Sequence, residues 1–487
     1  MWHIDDGGAH EAPFTFRLLR GLKESLLSLK VCFAIVLTIL LSSCSTYEKR
    51  TLDHQVESKF LTDLYVNLST LEANPDSGLG TDWFPLATTA DLSDGLSLSE
   101  ANSIGLHFNP ELIQTRRKFD LAGSQLVQAG LLKNPQLSIG PRFSTSSSNT
   151  ILPASLSWDL PLWGTRESGI RLAESEVKTN SMKLQEQELE LLNSIRITFV
   201  ELWALTESVK VFGDSLKISE WISTRVESLR NAGEINASTY WLAKWESSQL
   251  AYQLETTRLD LQRQNYLLQR LLGLPPSEDL VAMTENSQIV PDLMSREPIT
   301  QNLHPSLRLA EENYNESEIR VEHEYMKQFP KIQIGPEYEK DNSSTSIGFG
   351  LGMTLPILDR NQNGITAAKI RRDAARDHYR EVLLELKHLE SSSSLSIEIL
   401  TKLLRDSREL FLMHFESAKT TLETRLGVGE SEIFVALTTS KALIDSRIQQ
   451  IRLQADLTKA TLEMATASGL VFVDALSNKK NGNPEGE

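Results

Sequence analysis

Asn134-Pro135-Gln136-Leu137-Ser138-Ile139-Gly140-Pro141-Arg142-Phe143 returns 195 residues later as Phe329-Pro330-Lys331-Ile332-Gln333-Ile334-Gly335-Pro336-Glu337-Tyr338. The same offset pairs Leu156, Trp158, Leu160 and Pro161 with Leu351, Met353, Leu355 and Pro356, and Pro110 with Pro305. Ala232-Gly233-Glu234 then meets Val428-Gly429-Glu430, and Gly273-Leu274 meets Gly469-Leu470, with the offset one residue longer. Landmarks in constant register over this length mean two copies of one structural unit.

Each copy opens with strand patterns. Leu137, Ile139 and Phe143 alternate with Ser138, Gly140 and Arg142, and Leu156, Trp158 and Leu160 alternate with Ser157 and Asp159. In the second copy Ile332, Ile334 and Tyr338 alternate with polar or small residues. Ile347, Phe349, Leu351, Met353 and Leu355 do the same with Gly348, Gly350, Gly352 and Thr354. Period two marks a strand with one apolar and one polar face, so each copy holds a hairpin. Two soluble hairpins on a core would show the same alternation. Strands of about ten residues with a uniformly apolar face are also what transmembrane barrels use. Four strands cannot close a barrel, and open edges in lipid leave backbone groups unpaired, so spanning strands would need several copies in one barrel.

A long helical pattern follows each hairpin. Leu191, Ile195, Thr198, Leu202, Leu205, Val209, Phe212 and Leu216 step by fours and threes, a coiled-coil seam. Pro161 and Pro356 stand where strand gives way to helix. The pattern predicts one helix from about Thr165 to Arg230, ~100 Å long. Asn231 to Glu234 is a turn, Asn236 or Ser238 caps a return helix, and Gly273 ends it before Pro275-Pro276. A further helical segment, from about Ser99 to Leu132, precedes the first hairpin. Together with the return helix it nearly equals the long one, which predicts two shorter helices end to end and antiparallel to it. Leu386, Ile397, Leu400, Leu404 and Phe411 repeat the seam in the second copy, where Ser391 to Ser394 is either a close-approach patch or a weak point.

At the N-terminus, basic residues up to Lys30 precede the apolar run Val31 to Leu41 and the tetrad Leu41-Ser42-Ser43-Cys44. That order reads as an export signal, and the run falls short of the roughly 20 apolar residues a spanning helix needs. The tetrad resembles a bacterial lipobox, which implies lipidation of Cys44. The only other cysteine, Cys32, lies within the signal, so no disulfide is expected. A formal charge of −16 argues against a nucleic-acid surface. No nucleophile elbow, phosphate loop or His-Glu-x-x-His occurs, and His378 and His388 are too far apart for one helical face, so neither enzyme, cofactor nor metal site is expected.

From about Leu96 to Leu470 the chain resembles the TolC-like outer-membrane efflux factors. The resemblance is carried by Asn109-Pro110-Glu111-Leu112, Gln128-Ala129-Gly130-Leu131, Leu160-Pro161-Leu162, Ala232-Gly233-Glu234-Ile235, Leu271-Leu272-Gly273-Leu274-Pro275 and Leu355-Pro356-Ile357-Leu358-Asp359-Arg360-Asn361-Gln362. It implies a mainly helical fold of two tandem repeats, in a homotrimer whose shared twelve-stranded transmembrane barrel continues as a periplasmic helical barrel. The division then runs 1–43 signal peptide, 44–95 tether or strap, 96–274 first repeat, 275–299 connector, 300–470 second repeat and 471–487 polar tail. Leu156, Trp158, Leu160, Ile347, Phe349, Leu351, Met353 and Leu355 would face outer-membrane lipid. Pro161, Pro356, Asp359 and Arg360 would form the strand-to-helix junctions. Gly233, Glu234, Gly427, Gly429 and Glu430 would sit at the periplasmic tip, where an adaptor joins the duct to an inner-membrane pump. The function implied is a passive duct for small solutes, drugs or metal ions, with a type I protein-secretion duct or a non-transporting helical scaffold or adaptor lipoprotein as alternatives.

Overall fold

A computed structural model describes residues 47–67, 95–143, 150–277, 304–340, 344–425 and 430–467. The signal run, Cys44, most of the connector, Gly427, Gly429, Leu470 and the tail lie outside the described residues. In chain order the elements are α1 (His54–Asn67), α2 (Leu98–Phe108), α3 (Pro110–Gly130), β1 (Gln136–Ile139), β2 (Arg142–Phe143), β3 (Thr150–Leu160), α4 (Thr165–Asn231), α5 (Ala237–Leu272), α6 (Pro305–Met326), β4 (Ile332–Lys340), β5 (Thr345–Met353), α7 (Gln362–Arg425) and α8 (Glu430–Ala467). The chain is mainly helical with one small sheet.

The two long helices have 67 and 64 residues, close to the reading of the seam. Leu191, Ile195, Thr198, Leu202 and Phe212 of that seam are buried, and Leu205, Val209 and Leu216 are partly so. The segment read as one helix from Ser99 to Leu132 is instead two. Ser97 opens α2 with a capping box, its Oγ accepting from Glu100 N at 3.3 Å while Glu100 Oε2 accepts from Ser97 N at 2.9 Å. Asn109 then leaves the helical region at ψ 122°, because the ring of Pro110 disfavours helical backbone before it. The Asn109 side chain caps α3 from there, accepting from Leu112 N at 2.9 Å. Within the stretch read as a tether or strap, α1 is helical.

The end-to-end arrangement is held at this break. Asn109 Nδ2 donates to Leu271 O at 2.8 Å, joining the end of α5 to the start of α3 across 162 residues. Gly273 ends α5 at φ +72°, with Gly273 N bonding Arg270 O at 3.1 Å and Leu274 N bonding Gln269 O at 2.9 Å, a Schellman closure. A Cβ here would overlap the Phe108 carbonyl, so both the positive φ and the close approach require glycine.

The main core lies around this break. Leu96, Ile104, Leu112, Leu192, Ile195, Phe199, Leu202, Leu268 and Leu272 are almost wholly buried, and α8 adds Ile451, Ala455 and Leu462. A second cluster closes the far end of the helices with Ile222, Val226, Ile235, Ala243, Ile433 and Leu437.

Side-by-side packing follows one order. Nearest the sheet the helices run α3, α4, α6, α7, and farther away α5, α4, α8, α7. The strands run β1, β3, β4, β5, with β2 also on β3 and every pairing antiparallel. Helices and strands thus keep the same lateral order, since each strand is joined directly to the helix beside it.

Candidate functional site

The register divides the sheet into two unlike faces. Leu137 pairs with Leu156, Ile139 with Ala154, Trp158 with Ile334 and Leu160 with Ile332. On the next strand Ile332, Ile334, Pro336 and Tyr338 pair with Met353, Leu351, Phe349 and Ile347. Directly paired residues share a face, so all of these side chains lie together. Leu137, Ile139, Leu156, Trp158, Ile347, Phe349, Leu351 and Met353 are exposed. A continuous apolar face of this kind marks a membrane or protein contact.

The opposite face carries Gln136, Ser138, Ser155, Ser157, Asp159, Gln333, Glu337 and Glu339 with Gly335, Gly348, Gly350 and Gly352. Asp159 accepts from Gln333 Nε2 at 2.7 Å and pairs with Lys133 at 3.4 Å. Gly350 leaves the room into which Glu337 folds, while Gly348 has open space beside it. Seven of the eight residues expected on the apolar face lie in strands. Leu355 lies two residues past the end of β5, where Pro356 cannot donate to a ladder, and is exposed. The first strand of the first hairpin is divided into β1 and β2 at Gly140-Pro141, for the same reason.

At both junctions a tight turn crosses the proline. Leu162 N bonds Leu160 O, and Ile357 N bonds Leu355 O, each at 2.9 Å. In the first, Trp163 and Gly164 take positive φ before Thr165 starts α4, and Arg166 Nη2 donates to Gly130 O at 2.6 Å. In the second, Asp359 Oδ1 accepts from Asn361 N at 2.8 Å and Arg360 Nε donates to Pro356 O at 3.3 Å. Those bonds hold Asn361 at φ +58°, where its Nδ2 reaches Glu324 O at 2.9 Å and Oε2 at 2.7 Å. Desolvation raises the Glu324 pKa, but the hydrogen bonds from Asn361 and Lys327 outweigh it and leave the carboxyl below its ordinary range. Asn361 lies within the motif Leu355 to Gln362 that carries the resemblance, next to the Asp359 and Arg360 named for the junction. The Trp163 ring stacks on Phe329 at 5.5 Å, tying the first junction to the turn before β4.

At the far end of α4, Gly233 has φ +76°, with Gly233 N bonding Arg230 O at 2.9 Å and Glu234 N bonding Leu229 O at 3.0 Å. Gly233 and Glu234 are exposed, and Ile235 plugs the cluster beneath. Asn236 caps α5 by accepting from Thr239 N at 3.0 Å. Glu430 begins α8. Sheet and turn thus stand at opposite ends of a 67-residue helix, and the expected lipid-facing and tip residues do not meet.

Among the described residues no group of three or more His, Cys, Asp or Glu side chains could hold a metal ion, and no helix is long and apolar enough to cross a membrane. His304 is buried and caps α6, its Nδ1 accepting from Ser306 N at 3.2 Å. It lines a cavity of about 900 Å³ with Glu190, His378, Glu385, Leu386 and His388. Burial lowers its pKa to about 4.

No family model matches the chain. The structure is similar to the outer-membrane channel CmeC of Campylobacter jejuni, with a TM-score of 0.67 and 14% identity over 90% of this chain and 97% of that one. It is also similar to the outer-membrane channel OprN, with a TM-score of 0.66 and 15% identity over 87% and 98%. The fold is that of the TolC-like outer-membrane channels. In sequence, the cobalt-zinc-cadmium resistance protein CzcC of Cupriavidus metallidurans is 22% identical over 336 residues, 68% of this chain and 80% of that protein. The channel fold accounts for the sheet carried at one end of a long helical layer.

Proposed function

We propose that the chain is the outer-membrane component of a tripartite efflux system, a passive duct through which small solutes leave. The observation that carries this reading is the sheet register, which gathers the apolar side chains on one face and small or polar ones on the other. An apolar face toward lipid and a polar face toward water is the division a transmembrane barrel requires. Edges β1 and β5 have no partner strand among the described residues, and unpaired edges in lipid cost several kcal/mol per backbone group. Closure by three copies, each a tandem repeat giving four strands, removes the edges and makes a twelve-stranded barrel. Helices α3 to α8 then continue the lumen into the periplasm. The tip around Gly233 and Gly429 receives the adaptor, and the pump supplies the energy.

The metals in the name of the CzcC relative make divalent cations the first cargo to test, ahead of drugs. Cleavage before Cys44 and acylation of its thiol would add a lipid anchor, each buried CH₂ contributing ~0.8 kcal/mol. Loss of labelled palmitate from Cys44→Ala checks the anchor, and equal labelling of mutant and parent refutes it. The duct is tested by reconstituting the full chain in a planar bilayer, with growth of a deletion strain across metals, dyes and antibiotics as the cellular arm. Stepwise conductance and sensitisation to at least one class are expected. An assembled protein that conducts nothing, in a strain with unchanged tolerance, refutes the reading in favour of a scaffold.

A further inference from the structure

The cavity beside His304 is walled by α4, α6, α7 and the end of α8. Its floor is apolar, with Leu189, Leu309, Ala310, Val382 and Leu386 buried around it. Glu190, Glu385, His378, His388 and Ser392 stand exposed at its mouth. Asn193 Nδ2 donates to Thr466 Oγ1 at 3.1 Å where α8 closes the side. Its volume of about 900 Å³ lies within the roughly 300–1,000 Å³ of sites that enclose drug-sized molecules.

The repeat shows where the room comes from. At the offset of 195, Ala310 stands where Thr115 does in the first half, and Val382 where Gln187 does. Thr115 Oγ1 donates to Gln187 Oε1, a polar clasp between α3 and α4, and beside it Arg116 pairs with Glu188 at 3.4 Å. The four equivalent residues of the second half are Ala310, Val382, Glu311 and Leu383, which can make neither contact. Ala310 and Val382 pack with Leu307 and Leu386 instead. Two side chains that reach across in one half are thus short and apolar in the other, and a hollow remains between α4, α6 and α7.

The charges around this floor are one-sided. Glu186, Glu190 and Glu385 line the cavity, and no lysine or arginine does. Neighbouring acids have cations, Glu188 with Arg116 and Glu312 with Lys178 at 2.7 Å. Among the described residues, none of the three lining carboxylates is in an ion pair. Desolvation, then the like charges of Glu186 and Glu111, raise the Glu190 carboxyl above its ordinary range. His304, with a pKa of about 4, brings no positive charge near neutral pH. Carboxylates rimming an apolar hollow favour a cation that also has apolar surface to bury. A bare metal ion is a poorer match, because among the described residues no three His, Cys, Asp or Glu side chains are grouped to hold one.

We propose that this cavity binds a hydrophobic organic cation, with its apolar groups on Leu189, Val382 and Leu386 and its charge between Glu190 and Glu385. Those two carboxylates hold the same position in the two repeats, 195 residues apart on α4 and α7, and line one hollow from both halves of the chain. A bulky onium ion, like a guanidinium beside an ammonium, is weakly hydrated and gives up little on leaving water. Binding here is independent of conduction, since it needs only α4, α6, α7 and α8.

The test uses the full chain in detergent, with tetraphenylphosphonium as the probe and equilibrium dialysis as the readout. Saturable binding is expected for the phosphonium and none for tetraphenylborate, which has the same shape and the opposite charge. Glu190→Gln combined with Glu385→Gln keeps size and removes charge, and should weaken the phosphonium by roughly tenfold or more. Ser392→Trp obstructs the mouth without touching the floor and should weaken it similarly. All three positions are exposed, and circular dichroism with light scattering checks that each variant keeps the fold and assembly of the parent. Zinc ions at equal concentration are expected to leave the phosphonium bound. The proposal is overturned by a parent without saturable binding, by equal binding in parent and folded variants, or by equal binding of the borate. Displacement by zinc overturns it in favour of a metal site. A chain that binds the phosphonium at these residues and conducts nothing overturns the duct and keeps the cavity.

Discussion

At the scale of single residues, Asn109 and His304 stand 195 residues apart, each before a proline and each capping the helix that follows. The prolines are plain in the sequence, whereas the role of the histidine is not: His378 and His388 are exposed, but His304 is 4% exposed. The available signal was its alignment with Asn109, since a capping position needs an acceptor and a neutral imidazole Nδ1 supplies one. Protonation removes that acceptor. Burial lowers the folded pKa to about 4 from an ordinary 6.5, so the unfolded chain binds more protons between those values. Stability from His304 is therefore full above about pH 6.5 and is lost as pH falls through about 4. His304→Asn keeps a cap and cannot titrate, so the drop in melting temperature between pH 7 and pH 4.5 should be smaller than in the parent. Glu190 lines the same cavity, where burial raises its carboxyl above the ordinary range, and it is present in both proteins, which makes the difference between them the informative quantity. Identical drops would show that His304 is not the titrating group.

At the scale of elements, the periodicities were legible and the breaks were not. The 3.5-residue seam located α4 because its core contacts are local and repetitive, and the alternation located the strands because one face is uniformly apolar. Asn109 divides a pattern that reads as continuous, because the restriction from Pro110 acts on backbone and leaves the hydrophobic period intact. Leu355 keeps the alternation although the ladder has ended. Side-chain pattern cannot show where backbone pairing stops. The two faces of β5 give a direct test. Leu351 pairs with Ile334 on the apolar face, and an arginine there would cost ~2–4 kcal/mol near a bilayer midplane. Gly348 lies on the polar face with open space beside it and is a cleaner control than Gly350, whose added Cβ would displace Glu337. Leu351→Arg should strongly reduce the assembled, membrane-inserted oligomer, while Gly348→Ser leaves it near the parent yield. Equal yields would mean that the apolar face does not meet lipid.

At the scale of the whole molecule, one helix of ~100 Å separates the two-faced sheet from the turn at Gly233, so membrane insertion and partner docking can be disturbed independently. That separation was legible, because helix length and the position of the turn glycine are local properties of the sequence. What occupies the turn was not, since a glycine at positive φ is required by any such helix ending. The Schellman bonds and the buried Ile235 fix the backbone, while Gly233 has open space where a Cβ would stand. Asparagine tolerates left-handed backbone better than other L residues, so Gly233→Asn adds a side chain outward at modest strain. Glu234→Lys reverses an exposed charge without touching the cap. If the adaptor seats over this turn, both variants should lower adaptor crosslinking and export while conductance and oligomer yield stay at parent levels. Gly233→Val adds bulk where β-branching opposes positive φ, and should also lower the melting temperature, which separates loss of docking from loss of the turn. Parent-level export from correctly assembled Gly233→Asn and Glu234→Lys would move the docking site away from this turn, toward the grooves between the helices above it.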